Sequence, residues 1–197
     1  MTFVRQRVSL PGGDLDLLQP DDAAELPDDG PVEWAPLVPY WSVLWRSGVA
    51  LASELTGREL NGLRVVELGC GLGVPSLVAA RGGARVLATD EDAEALELVE
   101  RNARENGLGV ETARVEWHAP DELVARGPFD LVLAADVLYE RSSVALLLSL
   151  LPRLGAEAWV ADPGRPAASV FLDEARSRWS VLTSARDGIE IARLGAL

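Results

Sequence analysis

A chain of 197 residues has room for one domain with a continuous core, because typical domains contain roughly 100–200 residues. Hydrophobic residues make up 48% and charged residues 25%, which is typical of a soluble globular protein, and no apolar run approaches the ~20 residues of a membrane-spanning helix. The 31 acidic residues outnumber the 18 basic ones, and the formal charge of −13 opposes binding to a nucleic-acid backbone.

The cysteine count and the first residues exclude further classes. Cys70 is the only cysteine, so neither an internal disulfide nor a zinc site built from several thiolates is available. The start, MTFVRQRVSL, has no apolar signal core and no Arg/Ser-rich transit pattern. We therefore expect a cytoplasmic protein that binds no metal, no membrane and no nucleic acid, and whose acidic surface suits a basic partner.

The first 47 residues are predicted to extend the domain. Residues 3–18 alternate in polarity and turn through Pro11-Gly12-Gly13, which predicts a β-hairpin. Residues 19–39 contain five prolines among clustered acids, which predicts an irregular surface strap with little helix. We expect residues 1–47 to contribute to a cleft on a domain formed by residues 48–197, the whole being one structural unit.

From residue 48 onward, short β-rich runs alternate with helical segments, the pattern of βαβ units in a parallel sheet. The predicted strands are 63–68, 84–89, 110–115, 131–135, 156–161, 180–184 and 189–194. The last two flank a short turn at Arg186-Asp187-Gly188, so they must pair antiparallel, since a parallel crossover needs far more chain. The sequence therefore predicts an α/β domain with a Rossmann-like, seven-stranded, mostly parallel sheet, an antiparallel C-terminal hairpin and helices on both faces.

The clearest predicted helix lies between the second and third strands, over AEALELVERNAREN. Leu96, Val99 and Ala103 fall on one face, which predicts a buried side, and Gly107 ends the helix. On the outer side, acids and arginines spaced by four residues are expected to pair: Glu97 with Arg101, and Glu100 with Arg104.

A predicted buried strand runs into a glycine-rich turn in the sequence VVELGCGLGVP, and Pro75 follows where a first helical turn tolerates a missing N–H. Glycines allow the backbone to turn tightly and to approach a ligand closely. The turn is therefore predicted to bind a nucleotide, the alternative being a strand-to-helix turn without a ligand. A dinucleotide fingerprint would place Gly or Ala where Val74 stands, which argues against NAD and FAD.

An acid, Asp90, ends the second predicted strand and precedes a helix. Ligands bind at the carboxyl edge of a parallel sheet, so Asp90 is expected to lie beside the glycine turn and to accept the two hydroxyls of an adenosine ribose. The alternative, compatible with the first, is that Asp90 caps the following helix.

Three motifs together resemble a known family. VELGCGLG, the acid of ATD and the sequence Asp136-Val137-Leu138-Tyr139 after the fourth strand are similar to the seven-stranded class I protein-lysine methyltransferases, whose hallmark is a D-x-x-Y motif. Within that group, PYWSVLWRSGVALASEL and ADPGRP resemble the electron-transfer-flavoprotein β-subunit lysine methyltransferases. The resemblance spans about residues 32 to 195.

This resemblance implies S-adenosyl-L-methionine as the cofactor. An aromatic face stacks on a purine and attracts a sulfonium by cation–π contact. Considered alone, the tryptophans, Trp41 included, are typical of packing, and Cys70 is a small loop residue. The contacts that the resemblance implies are Trp45 at the methionine end, Asp90 on the ribose hydroxyls, Trp117 and Ala135 flanking the adenine, and Glu67, Gly69, Cys70, Gly71 and Gly73 around the carboxylate and ribose.

The D-x-x-Y residues are the predicted methyl-transfer site. Asp136 and Tyr139 follow the fourth strand one helical turn apart, so both are expected to face the same cleft. Asp136 would orient an incoming lysine amine, which must be neutral to attack a methyl group, while Tyr139 would screen the site from water and contact the amine through its ring or hydroxyl. The alternative is that Asp136 is a helix N-cap and Tyr139 a packing residue.

Two further residues keep open roles. Arg165, in Asp162-Pro163-Gly164-Arg165-Pro166, either binds substrate acids, stabilises Asp136 or is the solvated arm of a stiff turn. The single histidine, His118, receives no catalytic role. The leading hypothesis is N-methylation of a lysine in a basic protein segment, with the electron-transfer-flavoprotein β-subunit as the candidate acceptor. A small-molecule N-methyltransferase and a non-catalytic cofactor-binding protein are the alternatives, and the oligomeric state stays open.

Overall fold

A computed structural model describes residues 2–24 and 39–195. Within these ranges, no helix is long and apolar enough to cross a bilayer. The strands are β1 (Phe3–Val8), β2 (Leu15–Pro20), β3 (Arg64–Leu68), β4 (Arg85–Asp90), β5 (Glu111–Arg114), β6 (Leu131–Ala135), β7 (Ala158–Asp162), β8 (Ser180–Arg186) and β9 (Ile189–Gly195). The helices are α1 (Asp21–Ala24), α2 (Arg46–Leu55), α3 (Val74–Arg81), α4 (Ala93–Glu105), α5 (Asp121–Ala125), α6 (Arg141–Leu154) and α7 (Pro166–Ala175), with a 3₁₀ turn at Tyr40–Ser42.

Seven of the strands form one sheet in the order β5-β4-β3-β6-β7-β9-β8. The first five of these are mutually parallel, whereas β9 runs antiparallel to both β7 and β8. The final hairpin turns through Asp187 and Gly188, whose φ angles of 52° and 81° are those of a two-residue turn that matches the strand twist. The predicted seven-stranded sheet and its antiparallel C-terminal hairpin are confirmed, with no strand boundary shifted by more than two residues.

Helices cover both faces of this sheet because its central strands are apolar on both sides. Along β3, Val66 and Leu68 pack under α6 and α7, while Val65, just before them, points to the opposite face and packs under α2 and α3. Neighbouring β6 alternates in the same way. The two-sided burial explains why Val, Leu and Ala make up most of these two strands.

The neighbours β3 and β6 mark the point where the chain reverses its direction of travel across the sheet. The connection after β3 leads to α3 on one face, and the connection after β6 leads to α6 on the other. Because the two connections diverge, a crevice opens between them at the carboxyl edge, the usual place for a ligand in such sheets.

The N-terminal hairpin of β1 and β2 is also confirmed, and its turn is closed by the Gly13 N–H donating to Leu10 O at 2.9 Å. The expected irregular strap is wrong for residues 19–24, since β2 continues to Pro20 and α1 follows at once. Pro20 is tolerated at the end of an edge strand, and two acids favour the first turn of the helix. The rest of the strap, residues 25–38, lies outside the described ranges.

Two asparagines, one in α4 and one at its C-cap, hold the hairpin against the domain. Asn102 Oδ1 accepts from the Leu18 N–H at 2.7 Å, and Asn106 Oδ1 accepts from the Asp16 N–H at 3.1 Å. Their amide groups donate back to the carbonyls of the same two β2 residues. The two side chains therefore make hydrogen bonds to the backbone of β2 like those that a neighbouring strand would make. From β2, the buried Gln19 amide donates to Ser42 O at 3.1 Å, which ties the hairpin to the 3₁₀ turn.

The predicted buried face of α4 is confirmed, because Leu96, Val99 and Ala103 are all buried. Its outer face differs in part from the expected pairing. Glu100 and Arg104 approach to 3.9 Å, but Arg101 lies over the Phe3 ring, 4.5 Å from its centroid. The hairpin covers this part of the helix and supplies an aromatic face that competes with the carboxylate of Glu97.

Candidate functional site

A cavity of about 480 Å³ occupies the crevice at the carboxyl edge of the sheet. Its volume lies within the range of small-molecule sites, about 300–1,000 Å³. The N-terminal part of the chain closes one side of it through the segment 39–45. The cavity brings together every residue that the sequence marked as a site: Trp45, Glu67, Gly69, Cys70, Gly71, Gly73, Asp90, Trp117, Ala135, Asp136 and Tyr139.

The glycine turn after β3 forms the floor of the cavity. Gly69, Gly71 and Gly73 have φ angles of 63°, 50° and 74°, a region that side chains rarely adopt. A Cβ on Gly73 would lie 2.8 Å from Val99 Cγ2 of α4, and one on Gly71 would lie 3.1 Å from Trp41 O. At these two positions the absent side chain makes room for protein groups, rather than for a ligand as expected.

Glu67, at the end of β3, is buried beneath the turn. Its Oε2 accepts from the Ser76 N–H at 2.9 Å and from the Ser76 hydroxyl. Burial raises the pKa of Glu67 to about 8, although the bonds from Ser76 oppose the shift; the nearby Asp90 adds to it. Glu67 therefore carries a proton at neutral pH in the folded protein.

This raised pKa predicts a pH-dependent stability. In the unfolded chain the pKa of a glutamate is about 4.3, so between about pH 4 and 8 the folded state binds the extra proton, and stability is lost as the pH rises. Glu67→Gln, which imitates the protonated form, is expected to reduce this loss, with an advantage over the parent on the order of a few kcal/mol at pH 9. Urea unfolding at pH 5, 7 and 9 measures both curves. Parallel curves for parent and variant would contradict the assignment.

Asp90 ends β4 and faces the cavity beside the turn. Its two oxygens accept from the Gly71 N–H at 2.9 Å and from the Asp92 N–H at 3.1 Å. Burial raises its pKa, against these two bonds. The alternative that Asp90 caps the next helix is wrong: Asp92 is the N-cap of α4 and accepts from the Glu94 N–H at 2.8 Å. Asp90 thus fixes the glycine turn and keeps a carboxylate directed at the cavity.

Aromatic side chains form two walls of the cavity. Trp117 is half-buried against the core and stands over Gly69, while Trp45 is anchored by its indole N–H donating to Tyr40 O at 3.0 Å. Ala135 provides a small surface at the end of β6. Burial raises the pKa of the Cys70 thiol well above its usual range, which agrees with a packing role and not with a nucleophile.

Asp136 follows β6 with a φ of 60°, in the left-handed region, and its N–H donates to Ala161 O at 2.9 Å. The segment between β6 and α6 is not helical, and Glu140 stands at the N-cap position of α6. Both the expected helical spacing and the alternative N-cap role of Asp136 are therefore wrong. Asp136 and Tyr139 nevertheless line the same cavity, because the loop itself folds over it.

Tyr139 lies at the mouth of the cavity and is about half exposed. Its ring packs on that of Tyr40, with centroids 5.4 Å apart and an angle of 31° between the planes. Burial of its inner part raises the pKa of the hydroxyl, and the neighbouring carboxylates of Glu91 and Glu140 add to the effect. Tyr40 was not singled out from the sequence, although the adjacent aromatics in PYW are the signal for it.

Arg165 connects the ends of β6 and β7 on this side of the cavity, because it contacts an acid at each of them. Its guanidinium contacts Asp136 Oδ1, lies 3.4 Å from Asp162 Oδ2 and stands 5.8 Å above the Trp45 ring. Asp162 Oδ1 accepts the N–H groups of Gly164 and Arg165 at 2.8 and 2.7 Å, which fixes the turn. Of the three roles open from the sequence, the geometry supports the contact with Asp136.

The lining is strongly acidic. Arg165 is the one arginine or lysine on it among the described residues. His118 lies at the rim, exposed, with its Nε2 3.1 Å from Glu116. No group of three or more His, Cys, Asp or Glu able to hold a metal occurs in ranges 2–24 and 39–195. The carboxyl side chains on the lining are Glu67, Asp90, Glu91, Asp92, Asp136 and Glu140. Glu91 and Asp92 belong to the β4–α4 loop and Glu140 to the β6–α6 loop, and no separate signal in the sequence marked these three.

Known proteins resemble this chain in both sequence and fold. It is 34% identical over 122 residues to protein N-lysine methyltransferase METTL21A of Danio rerio, covering 58% of this chain and 56% of the relative. It is 34% identical over 136 residues to the electron transfer flavoprotein beta subunit lysine methyltransferase of Xenopus laevis, covering 64% and 53%. The chain thus spans about half the length of these curated relatives.

Among solved structures, the T. thermophilus 16S rRNA N2 G1207 methyltransferase, in complex with AdoMet and guanosine, matches all of this chain and 51% of its own with a TM-score of 0.72. At 14% identity, this likeness concerns the fold alone. The model of a family described as lysine methyltransferase matches residues 41–160, which is more than half of the sequence and includes the glycine turn, Asp90, Asp136 and Tyr139. The chain therefore belongs to the lysine methyltransferase family.

Proposed function

We propose that this protein transfers a methyl group from S-adenosyl-L-methionine to a lysine side chain of another protein. The observation that carries the proposal is the single cavity in which the glycine turn and Asp90 meet the Asp136 and Tyr139 loop. The first pair suits a nucleoside, and the second suits an amine. The family and the two lysine methyltransferases among its relatives support the same reaction.

The charge of the cavity fits this cofactor better than a dinucleotide. Among the described residues, six carboxyl side chains, of which the buried Glu67 is protonated, and one guanidinium line it. A pyrophosphate would be repelled by this lining, whereas S-adenosyl-L-methionine has no phosphate and carries a cationic sulfonium. In the proposal, Asp90 holds the ribose hydroxyls, Trp117 and Ala135 flank the adenine, and Trp45, Glu67 and the glycine turn hold the methionine end. When bound, the cofactor supplies an electrophilic methyl group.

The residues at the mouth would prepare the acceptor. A lysine amine has an ordinary pKa of about 10.4 and must lose its proton before it attacks. Asp136 would accept a hydrogen bond from the amine and aim its lone pair, and the rings of Tyr40 and Tyr139 would exclude water. The lysine nitrogen would then accept the methyl group that the bound cofactor supplies, leaving S-adenosyl-L-homocysteine, and the surplus proton would pass from the product ammonium to solvent.

The rim also supports a basic partner. Glu91, Asp92 and Glu140 surround the mouth at Tyr139, and the whole chain carries a formal charge of −13. A lysine within a basic segment would be attracted from about a Debye length away. The electron-transfer-flavoprotein β-subunit is the candidate acceptor that we propose, on the strength of the relative of that name, and the cytoplasm is the proposed location.

This electrostatic attraction predicts a salt-dependent reaction. With labelled S-adenosyl-L-methionine and recombinant β-subunit, initial rates at low substrate should fall as ionic strength rises from about 0.01 to 1 M, because the Debye length shrinks from about 30 to 3 Å. A neutral lysine peptide is the control and should show little change. Mass spectrometry then locates the labelled residue. Salt-independent methylation of the β-subunit would refute only the attraction.

The same assay separates the alternatives. If the β-subunit is never labelled, the proposed acceptor is wrong, and a lysate with the labelled cofactor identifies another protein. Labelled small molecules without labelled protein would favour the small-molecule N-methyltransferase. Cofactor binding in calorimetry without any transfer would favour the non-catalytic protein.

A further inference from the structure

The ion pair of Arg165 with Asp136 is not explained by cofactor binding. The Asp136 side chain is almost fully buried, and Oδ1, the oxygen that Arg165 contacts, is inaccessible to solvent. Asp136 lines the cavity, and no described residue donates a hydrogen bond to its other oxygen, Oδ2. An acceptor that enters the cavity therefore meets one oxygen of this carboxylate.

Arg165 is fixed in this position from three sides. Its backbone N–H is bound by Asp162 Oδ1 at 2.7 Å, its guanidinium lies 3.4 Å from Asp162 Oδ2, and the Trp45 ring lies beneath it at 5.8 Å. Pro166 then begins α7, which restrains the chain on the other side. Because the arginine is held by its backbone and its side chain, an incoming cation does not easily displace it.

We infer that Arg165 makes the acceptor site selective for lysine over arginine by occupying Oδ1 of Asp136, so that the acceptor has a single carboxylate oxygen to bind. The inference rests on the proposed function and adds the determinant of its acceptor class. An amine needs one oxygen to be aligned. A carboxylate aligns a guanidinium through two parallel N–H···O bonds, which need both of its oxygens, and here Oδ1 is in contact with Arg165 and closed to an acceptor.

The test replaces Arg165 and compares two basic peptides that differ only in a central lysine or arginine. Arg165→Gln and Arg165→Met both free Oδ1, and Arg165→Met keeps the apolar stem. Binding of each peptide is measured by calorimetry in the presence of S-adenosyl-L-homocysteine, and transfer is measured separately. Removing one positive charge favours both cationic peptides, so the lysine-to-arginine ratio isolates the geometric effect from the general electrostatic one.

We expect the parent to favour the lysine peptide and both variants to lower the lysine-to-arginine ratio about 10-fold, the worth of one charge-assisted hydrogen bond. Arg176→Gln, at the exposed end of α7 where Arg176 pairs with Asp173, is the matched control and should leave the ratio unchanged. Thermal unfolding verifies that each variant is folded, and either folded variant suffices.

An unchanged ratio in binding and in transfer would overturn the inference, because a purely structural arginine would weaken both peptides equally. Failure of the proposed function looks different: the parent would then methylate neither peptide, while the binding ratio would still report on Arg165.

Discussion

Asp136→Asn should lower the rate of methyl transfer about 100-fold or more, the usual contribution of a positioned acid–base group, and should leave cofactor affinity unchanged. Asparagine has nearly the same shape and also tolerates a positive φ, so the backbone at 60° is kept. What is lost is the charge that aligns the amine and pairs with Arg165. Single-turnover rates and calorimetry with S-adenosyl-L-homocysteine measure the two quantities.

Asp187→Asn is the matched control, because Asp187 is the other described non-glycine residue with a positive φ, 52°, and it lies in the β8–β9 turn away from the cavity. It should change neither quantity. Tyr139→Phe should retain the contact with Tyr40 and reduce transfer less than Asp136→Asn does. If Asp136→Asn and Tyr139→Phe both methylate at the parent rate, the D-x-x-Y loop is structural and the transfer site lies elsewhere.

Asp90→Ala should weaken binding of S-adenosyl-L-methionine by about 1.5–3 kcal/mol, the range for hydrogen bonds to a charged group, which corresponds to roughly 10- to 100-fold in Kd. Two effects add here. The ribose hydroxyls lose their acceptor, and the glycine turn loses the bond from the Gly71 N–H that holds it in place at 2.9 Å. Isothermal calorimetry with the cofactor and with its demethylated product measures the loss.

Glu91→Ala removes the same charge one residue along the chain and serves as the control. Glu91 is exposed at the rim, so its loss should change cofactor affinity far less than the loss of Asp90. Equal effects of the two variants would show that overall negative charge, and not hydrogen bonds accepted by Asp90, holds the cofactor. Binding of NAD in place of S-adenosyl-L-methionine would end the cofactor assignment.

The sequence by itself determined the order of strands and helices along the chain. Local patterns predict those elements: mainly apolar runs for β3 and β6, a 3.6-residue period for α4, and turn residues at Gly12-Gly13 and Asp187-Gly188. The glycine turn and Asp90 could also be placed at one edge, because parallel strands all end on the same side of a sheet. Local physics suffices for each of these statements.

Only the tertiary structure decided which distant groups meet. Because β6 lies between β3 and β7, the Asp136 loop comes beside both the glycine turn and Asp162-Pro163-Gly164-Arg165, and Arg165 reaches Asp136 instead of solvent. The same holds for Asn102 in α4 and Asn106 at its C-cap. In the sequence they resemble ordinary surface positions, and only the fold places β2 against them.

The N-cap of α4 likewise depended on tertiary contacts. Asp90 is drawn toward the Gly71 N–H across the loop, and that leaves the helix end to Asp92. Asp136 shows the same dependence, since its left-handed backbone is held by the Ala161 carbonyl of the adjacent strand rather than by neighbours in sequence. Hydrogen bonds between residues far apart in sequence produce no periodic sequence pattern, so they could not be predicted from the chain. The order of the strands in the sheet decides which residues become partners.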